Sequence, residues 1–309
     1  MALSRTFLFV PGNHARRVEK ALNADVDAAI LDLEDAVAAS EKVATRAAVV
    51  EALQAPHRAR GYIRINALDT DYAFGDLHAV IARGVDGIVL PKLESVEQLH
   101  TADWIMSQLE RERGLDADSI ELMPIIETGA GFAAIQALCA SAAQRVQRLK
   151  RFAFGAGDFC LDMNLIWSGD ESELHAYRSA LVLASRAAGL QAPVDTVWVR
   201  LDDADGLARS AVRARGMGFQ GKLCIHPAQC DAVNRAFSPT ETEITQARAV
   251  VEAFKRAEAE GVASIRLDGA FIDYPVAYRA QRVLDFAAQI DARQEHLIHR
   301  RNGNDCNIG

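Results

Sequence analysis

The sequence predicts a (β/α)8 TIM barrel, because eight short apolar runs alternate with amphipathic stretches of helical period. The apolar runs end in polar or glycine-rich turns, and in this fold functional groups sit at the C-terminal ends of the strands. The length of 309 residues suits one such α/β barrel with extra terminal helices. A doubly wound open sheet shares the alternation, but no Gly-x-Gly-x-x-Gly opens a helix after the first strand.

The predicted elements alternate regularly along the chain. The strands are Thr6–Val10, Ala28–Leu33, Tyr62–Asn66, Gly87–Leu90, Leu122–Ile126, Arg151–Phe154, Thr196–Leu201 and Lys222–Ile225. The helices are His14–Asn23, Ser40–Ala52, Ala73–Ala82, Ser95–Glu112, Gly131–Ala143, Ser172–Ala188 and Asp203–Met217. We therefore assign residues 1–235 to one catalytic barrel.

An appended C-terminal module is predicted over residues 236–300. Its two helices, Thr240–Glu260 and Pro275–Arg293, flank the segment Val262–Tyr274, which has the pattern of a hairpin or lid. Residues 301–309 form a polar tail that we expect to be frayed.

Composition excludes several classes of protein. The formal net charge is −8, from 34 Lys and Arg against 42 Asp and Glu, which argues against an extended nucleic-acid surface. The apolar runs are too short to span a membrane, and the first twelve residues lack the organisation of a signal peptide. The five cysteines show no Cys-x-x-Cys spacing, so reduced thiols in a cytoplasmic protein are expected.

Acidic residues gather at the end of the second predicted strand. Asp32, Glu34 and Asp35 follow a buried run, although each carboxylate is costly to desolvate and raises its neighbours' pKa values. The third strand carries Arg64 and Asn66 in the neighbouring position. The cluster can be the rim of an active site, a structural ion pair between adjacent strands, or a solvated loop with incidental acids.

Two more strands each end in a single acid. Glu127 follows the fifth strand and Asp158 the sixth, at about the same depth. Two carboxylates with open positions for water and substrate oxygens suit Mg²⁺, whereas Zn²⁺ would call for His or Cys ligands. The alternative is that Glu127 caps the next helix and Asp158 stabilises a turn.

Three further segments carry polar groups whose role the residues leave open. The first helix bears Arg16, Arg17 and Lys20 near a glycine turn, which suits either phosphate groups or a solvated basic face. His226 follows the eighth strand and is either catalytic or a hydrogen-bonded structural residue. Near the C-terminus, Asp268 and Asp273 flank a turn, as capping residues or as an acid carried by a lid.

Together these motifs resemble the citrate lyase β-subunit-like branch of the HpcH/HpaI aldolase superfamily, which includes malyl-CoA and citramalyl-CoA lyases. The similarity covers about Ser4 to Val283, and eight motifs occur in the family's order. The motifs are Phe7–Gly12, Ile30–Val37, Arg64–Asn66, Gly87–Lys92, Pro124–Thr128, Phe154–Asp158, Gly221–Gln229 and Asp268–Pro275.

The resemblance implies a (β/α)8 barrel in which Glu127 and Asp158 hold Mg²⁺. Arg64 would bind the substrate carboxylate, and Gly157 with Asp158 would line the substrate site. Glu34 and Asp35 would order Arg64 and the metal's water.

The resemblance also implies a coenzyme A thioester as substrate. Arg16 and Lys20 would lie near its phosphates, and His226 and Pro227 near its nucleotide end. Relatives often carry Arg where this chain has His14, which leaves the contact at that corner to Arg16 or Arg17. Many relatives form trimers or hexamers in which a lid acid reaches the adjacent active site; by position this acid is Asp273, with Asp268 as the alternative.

The expected reaction is Mg²⁺-dependent retro-Claisen cleavage of a β-hydroxyacyl-CoA, of citramalyl-CoA or malyl-CoA type, to an oxoacid and acetyl-CoA. One alternative is a citrate lyase β-subunit whose thioester is carried on an acyl carrier protein. Another is a metal-dependent aldolase that acts on free hydroxy-oxo acids without coenzyme A. A non-catalytic scaffold would have no use for the retained acids.

Overall fold

Eight parallel strands close into a barrel in chain order, which confirms the predicted fold class. The computed structural model describes residues 3–304, with side chains described for residues 3–295. The barrel strands are β1 (Thr6–Pro11), β2 (Ala28–Asp32), β3 (Arg60–Arg64), β4 (Gly87–Leu90), β5 (Glu121–Ile126), β6 (Ala153–Phe154), β7 (Val194–Asp195) and β8 (Gly221–Cys224). The barrel closes because β1 pairs in parallel with both β2 and β8.

Helices follow the strands around the barrel, as the (β/α)8 pattern requires. They are α1 (Ala15–Leu22), α2 (Lys42–Gln54), α3 (Ala73–Val80), α4 (Val96–Glu112), α5 (Gly129–Arg145), α6 (Ala156–Asp162), α7 (His175–Ala187), α8 (Ala204–Met217) and α9 (Pro227–Phe237). A 3-10 turn at Ser172–Leu174 precedes α7.

The seventh strand lies before the predicted one. Pairing ends at Asp195, whereas the apolar run Thr196–Leu201 predicted a strand. The Thr196 hydroxyl instead accepts the backbone N–H of Ala156 at 2.9 Å, and Val199 and Leu201 are 51% and 60% exposed. The prediction was therefore wrong here, because the run follows the end of the strand. β3 likewise begins at Arg60 and ends at Arg64, two residues earlier than predicted.

Apolar side chains fill both faces of the sheet, as in parallel barrels generally. The barrel interior holds a cluster centred on Phe7, Ile30, Tyr62, Val89 and Met123. The rings of Phe7 and Tyr62 pack edge to face at 5.5 Å. A larger cluster lies between the strands and the helices. Packing within these two clusters fixes the positions of the C-terminal ends of the strands.

Within the described residues, a second compact unit comprises residues 238–304 together with Leu3, whereas the barrel unit spans Ser4–Phe237. It contains α10 (Glu241–Ala259), β9 (Ser264–Leu267), β10 (Ala270–Asp273) and α11 (Tyr274–Asn304). β9 and β10 form an antiparallel hairpin whose turn residues, Asp268 and Gly269, both have positive φ, as two-residue hairpins require. Of the expected frayed tail, residues 305–309 lie outside the described part of the chain.

The described helices include none that combines the length and the apolar character needed to cross a membrane.

Candidate active site

Asp32, the last residue of β2, fixes the acidic turn and the neighbouring arginine. Its carboxylate accepts the backbone N–H groups of Glu34 and Ala36 at 2.9 and 3.0 Å. It also receives Nε and Nη2 of Arg64 at 2.7 and 2.6 Å, in a bidentate pair. The predicted ion pair between adjacent strands is therefore present, and it orients the guanidinium plane.

Arg64 ends β3 and points its remaining nitrogen at the other acids of the turn. Its Nη1 lies 2.8 Å from Glu34 Oε2 and 3.6 Å from Asp35 Oδ2, and its Cζ stands 4.7 Å from the Phe9 ring centroid. Burial disfavours the charge, but Asp32, Glu34 and Asp35 outweigh it and raise the pKa of Arg64. Arg64 thus remains a permanent cation beside the barrel axis.

Glu34 is buried between two cations. Its Oε1 receives the Lys92 ammonium at 2.7 Å, whereas its Oε2 faces Arg64 as an ion pair without hydrogen-bond alignment. Burial raises the pKa of Glu34 even though Arg64 and Lys92 oppose the shift. Glu34 is therefore a carboxylate that burial destabilises and two neighbouring cations stabilise.

Glu127 and Asp158 come together as predicted, at the ends of two successive strands. Glu127 follows β5 and is 5% exposed, whereas Asp158 lies in the first turn of α6 with 37% of its side chain exposed. Burial raises the pKa of Glu127 to about 8, Glu34 and Asp158 add to the rise, and Lys92 opposes it. This environment favours a cation beside the two acids.

Space beside the Glu127 carboxylate depends on a glycine in the next turn. A Cβ at Gly155 would lie 2.4 Å from Glu127 Oε2 and 2.6 Å from Glu127 Cβ. At Gly157 a Cβ would meet nothing within 4 Å, so this position borders open space. The turn between β6 and α6 therefore leaves room next to the acids.

The donor set fits magnesium better than zinc. Among the described residues no group of three or more His, Cys, Asp and Glu is arranged to hold a metal, and no His or Cys joins Glu127 and Asp158. Mg²⁺ is commonly held by one or two carboxylates while water and substrate fill its other positions. Glu127 Oε1 accepts the Lys92 N–H at 2.9 Å, and Oε2 accepts no hydrogen bond from residues 3–295. That oxygen is available to a cation.

Lys92 is a site residue that sequence reasoning missed. Its Nζ lies 2.7 Å from Glu34 and 2.9 Å from Asp158, and its backbone φ is +50°. Burial lowers its pKa, but the two hydrogen-bonded acids raise it further, so the net shift is upward. The sequence feature that could have identified Lys92 is its position directly after β4, since functional groups of barrels gather at the C-terminal ends of strands.

Hydrogen bonds of Lys42 and Asn66 support the acidic turn after β2. Lys42 donates to the carbonyl oxygens of Leu33 and Glu34 at 3.0 and 2.6 Å and to Asn66 Oδ1 at 2.6 Å. The Asn66 amide donates in turn to the buried carboxylate of Asp76 at 2.7 Å. Asn66 thus links the acidic turn to Asp76.

Four predicted coenzyme A contacts lie on the surface of the barrel unit. Arg16 and Lys20 are on the exposed face of α1, close to His14. His226 is exposed and its Nδ1 accepts the Ala228 N–H at 3.2 Å, while Pro227 begins α9. His226 thus makes a local hydrogen bond at the start of α9, and its predicted contact with coenzyme A stays a prediction.

The two candidate lid acids belong to the C-terminal unit. Asp273 ends β10, and its Oδ1 accepts the Val276 N–H at 3.2 Å, which caps the start of α11. Asp268 is exposed at the hairpin turn.

Comparisons with known proteins identify the family of the chain. Residues 5–227 match the family described as HpcH/HpaI aldolase/citrate lyase. The chain is 36% identical over 288 residues to citrate lyase subunit beta of Leuconostoc mesenteroides subsp. cremoris, covering 92% of this chain and 93% of that protein. It is 30% identical over 297 residues to human mitochondrial citramalyl-CoA lyase, covering 93% of this chain and 86% of that protein.

A solved structure shows the same likeness. It is CitE from Mycobacterium tuberculosis in complex with magnesium, acetoacetate and coenzyme A, with a TM-score of 0.75 and 27% identity over 93% of this chain and 99% of that chain. Fold, acidic strand ends and relatives lead to one conclusion: the chain belongs to the HpcH/HpaI aldolase/citrate lyase family and is a lyase of its citrate lyase β-subunit-like branch.

Proposed function

We propose that this protein is a Mg²⁺-dependent carbon–carbon lyase that cleaves a β-hydroxyacyl-CoA, of citramalyl-CoA or malyl-CoA type, to an oxoacid and acetyl-CoA. The observation that carries the proposal is the meeting of Glu127 and Asp158 beside Glu34 and Arg64. The likeness to citramalyl-CoA lyase and to a structure that holds magnesium and coenzyme A supports the same choice.

Glu127 and Asp158 would hold the magnesium ion. When bound there, the metal would polarise the substrate's hydroxyl and carboxylate oxygens. Gly157 and Asp158 would line the substrate site, because the position of Gly157 borders open space.

Arg64 would orient the substrate by its carboxylate. Asp32 occupies the Nε and Nη2 edge of the guanidinium, so the Nη1 edge is the one that a substrate carboxylate can reach. Exposed Asp35 is the more distant partner on that edge, at 3.6 Å. A fixed guanidinium holds the breaking bond in one orientation, which lowers the entropic barrier to cleavage.

Cleavage would begin as the substrate hydroxyl gives its proton to solvent, so that its oxygen forms the carbonyl of the oxoacid. The electrons of the carbon–carbon bond would move into the thioester and give the enolate of acetyl-CoA. Asp273 would protonate the enolate carbon, with Asp268 as the alternative acid. Arg16, Lys20, His226 and Pro227 would contact coenzyme A. We further propose a homotrimer or hexamer in which this acid serves the active site of an adjacent subunit.

The direct test is oxoacid release from malyl-CoA, citramalyl-CoA and the corresponding free acids, each with Mg²⁺ and with EDTA. We expect release from one thioester that EDTA abolishes. Turnover of free acids alone would instead identify a metal-dependent aldolase. Glu127→Ala should lose turnover while circular dichroism shows an intact fold; near-wild-type activity in that variant would contradict the metal assignment.

A second candidate is a citrate lyase β-subunit that acts on an acyl-carrier-protein thioester. It is favoured by the higher identity to citrate lyase subunit beta, 36% against 30% for the citramalyl-CoA lyase. Inactivity on every CoA thioester, together with cleavage of a citryl thioester on acyl carrier protein, would establish it.

A further inference from the structure

Lys92 places a cation among the acids of the candidate active site. Its ammonium lies 2.9 Å from Asp158 Oδ2 and 2.7 Å from Glu34 Oε1. Its side chain is 35% exposed, so the ammonium is neither fully solvated nor sealed in the core. One side chain therefore bridges a proposed magnesium ligand and the acidic turn after β2.

The backbone of Lys92 is tied to the other proposed magnesium ligand. Its N–H donates to Glu127 Oε1 at 2.9 Å, and its φ of +50° lies in the left-handed region, which non-glycine residues rarely adopt. This residue thus contacts both proposed ligands, one through its ammonium and one through its amide.

The charge balance leaves room for another cation. Five acids gather here, Asp32, Glu34, Asp35, Glu127 and Asp158, against three cations. The cations are Arg64, Lys92 and Lys42, and Lys42 bonds to backbone carbonyls and Asn66. Arg64 is committed to the acidic turn by its pairing with Asp32. Lys92 is therefore the cation that faces the proposed metal ligands.

We propose that Lys92 is an internal counter-ion of the magnesium site and that its ammonium competes with the metal for the Asp158 carboxylate. When the metal binds Asp158, Lys92 stays paired with Glu34. The inference rests on the proposed function, since it needs Glu127 and Asp158 as ligands. Lys92 is a positioning residue: it sets how tightly the metal binds.

The two possible roles of Lys92 predict opposite changes in Mg²⁺ affinity when its charge is removed. If Lys92 only braced the site, its removal would loosen the acids and weaken Mg²⁺ binding. If it competes with the metal, its removal takes a positive charge away from the ligands and strengthens Mg²⁺ binding.

The experiment titrates Mg²⁺ into the full chain, freed of metal by EDTA and dialysis, in a calorimeter at low ionic strength. We expect Lys92→Met to bind Mg²⁺ at least about fivefold more tightly than the wild type, because a like charge beside the metal is gone. Lys92→Arg, which keeps the charge, should remain near the wild type. Lys92→Gln is the second uncharged variant and carries the same expectation as Lys92→Met.

Lys42→Met is the matched control. Lys42 donates to backbone carbonyls and to Asn66 in the same region, and within residues 3–295 it contacts no carboxylate oxygen. Because Lys42 supports the acidic turn and faces neither proposed ligand, its loss should leave Mg²⁺ binding unchanged or weaker, and not tighter. The rise in melting temperature on adding Mg²⁺ should also be larger in Lys92→Met than in the wild type or the control.

Each other result overturns the inference in a distinguishable way. Wild-type binding with unchanged or weaker binding in the uncharged Lys92 variants would overturn this inference and leave the magnesium site standing. Equal tightening in the Lys42 control would show a long-range charge effect and overturn the competition for Asp158. Absence of Mg²⁺ binding in the wild type and all variants would overturn the proposed site together with this inference.

Discussion

The surroundings of Glu127 oppose its negative charge. Burial, Glu34 and Asp158 raise its pKa from 4.5 to about 8, so folding favours the neutral carboxyl. Stability from this group is therefore fully present below about pH 4.5 and is lost as the pH rises through about 8. The glutamine of Glu127→Gln cannot ionise, so this loss of stability should be absent from the variant. With EDTA present, we expect the melting temperature of Glu127→Gln to exceed that of the wild type by a margin that grows between about pH 5 and pH 8.

Glu110→Gln is the control for that prediction, because its carboxylate is buried with the opposite shift. Burial alone would raise the pKa of Glu110, but hydrogen bonds from Arg148 and from the Ile120 backbone lower it. Its stabilisation is present at neutral pH and lost as the pH falls, so this variant should lose stability near pH 7. A constant difference between Glu127→Gln and the wild type across the pH range would contradict the assigned pKa.

Residue types and strand ends predicted the acids of the site well. Arg64, Glu34, Glu127 and Asp158 meet because the C-terminal ends of parallel barrel strands share one face. Lys92 was not predicted as a site residue, because a lysine after a strand is usually solvated. Its left-handed φ was not predictable either, since tertiary contacts impose it and no glycine marks the position.

At the scale of elements, the turn between β6 and α6 sets the room beside the proposed metal ligands. A methyl group at Gly155 would approach Glu127 Oε2 to 2.4 Å, so Gly155→Ala must shift the carboxylate or the turn. We expect it to destabilise the protein by about 1–3 kcal/mol and to weaken Mg²⁺ binding. Urea denaturation and calorimetric titration of the metal would measure the two effects.

Gly157→Ala, two residues along, is the matched control, because its Cβ would meet nothing within 4 Å. Its stability should stay within about 0.5 kcal/mol of the wild type. If turnover then falls while stability and Mg²⁺ binding hold, the position lines the substrate site as proposed. Equal destabilisation by the two alanines would refute the steric argument at Gly155.

Strand lengths were harder to predict than strand order. β7 is only Val194–Asp195, and it is held by buried charges rather than by a long ladder. Asp195 receives Lys222 Nζ at 2.6 Å and Arg178 Nε at 2.8 Å, and all three side chains are fully buried. The periodicity of apolar residues identifies strands by their apolar faces. It therefore misplaced β7, which is anchored by an ionic network and is followed by a longer apolar run.

At the scale of the whole molecule, the proposed chemistry draws on both compact units. The proposed metal ligands lie in the unit Ser4–Phe237, whereas Asp273 lies in the unit that begins at Ser238. The order of elements in each unit could be predicted from the sequence, because hydrophobic period and turn residues are local signals. Which acid meets which active site could not, because it depends on assembly between units or subunits.

An oligomer in which Asp273 serves a neighbouring active site can be tested by complementation. Asp273→Asn keeps a side-chain oxygen to accept the Val276 N–H, so it preserves the α11 cap while removing the proposed acid. Glu127→Gln removes a proposed metal ligand from the barrel. Each variant alone should be inactive with its assembly intact by light scattering.

Co-expressed in equal amounts, the two variants should recover about one quarter of wild-type turnover per active site. With random mixing, about half of the barrels keep Glu127, and about half of those face a neighbour that keeps Asp273. An acid acting within its own chain would leave the mixture inactive, because every chain then lacks one of the two groups. Full activity of Asp273→Asn alone, with activity lost in Asp268→Asn, would transfer the role to the hairpin turn.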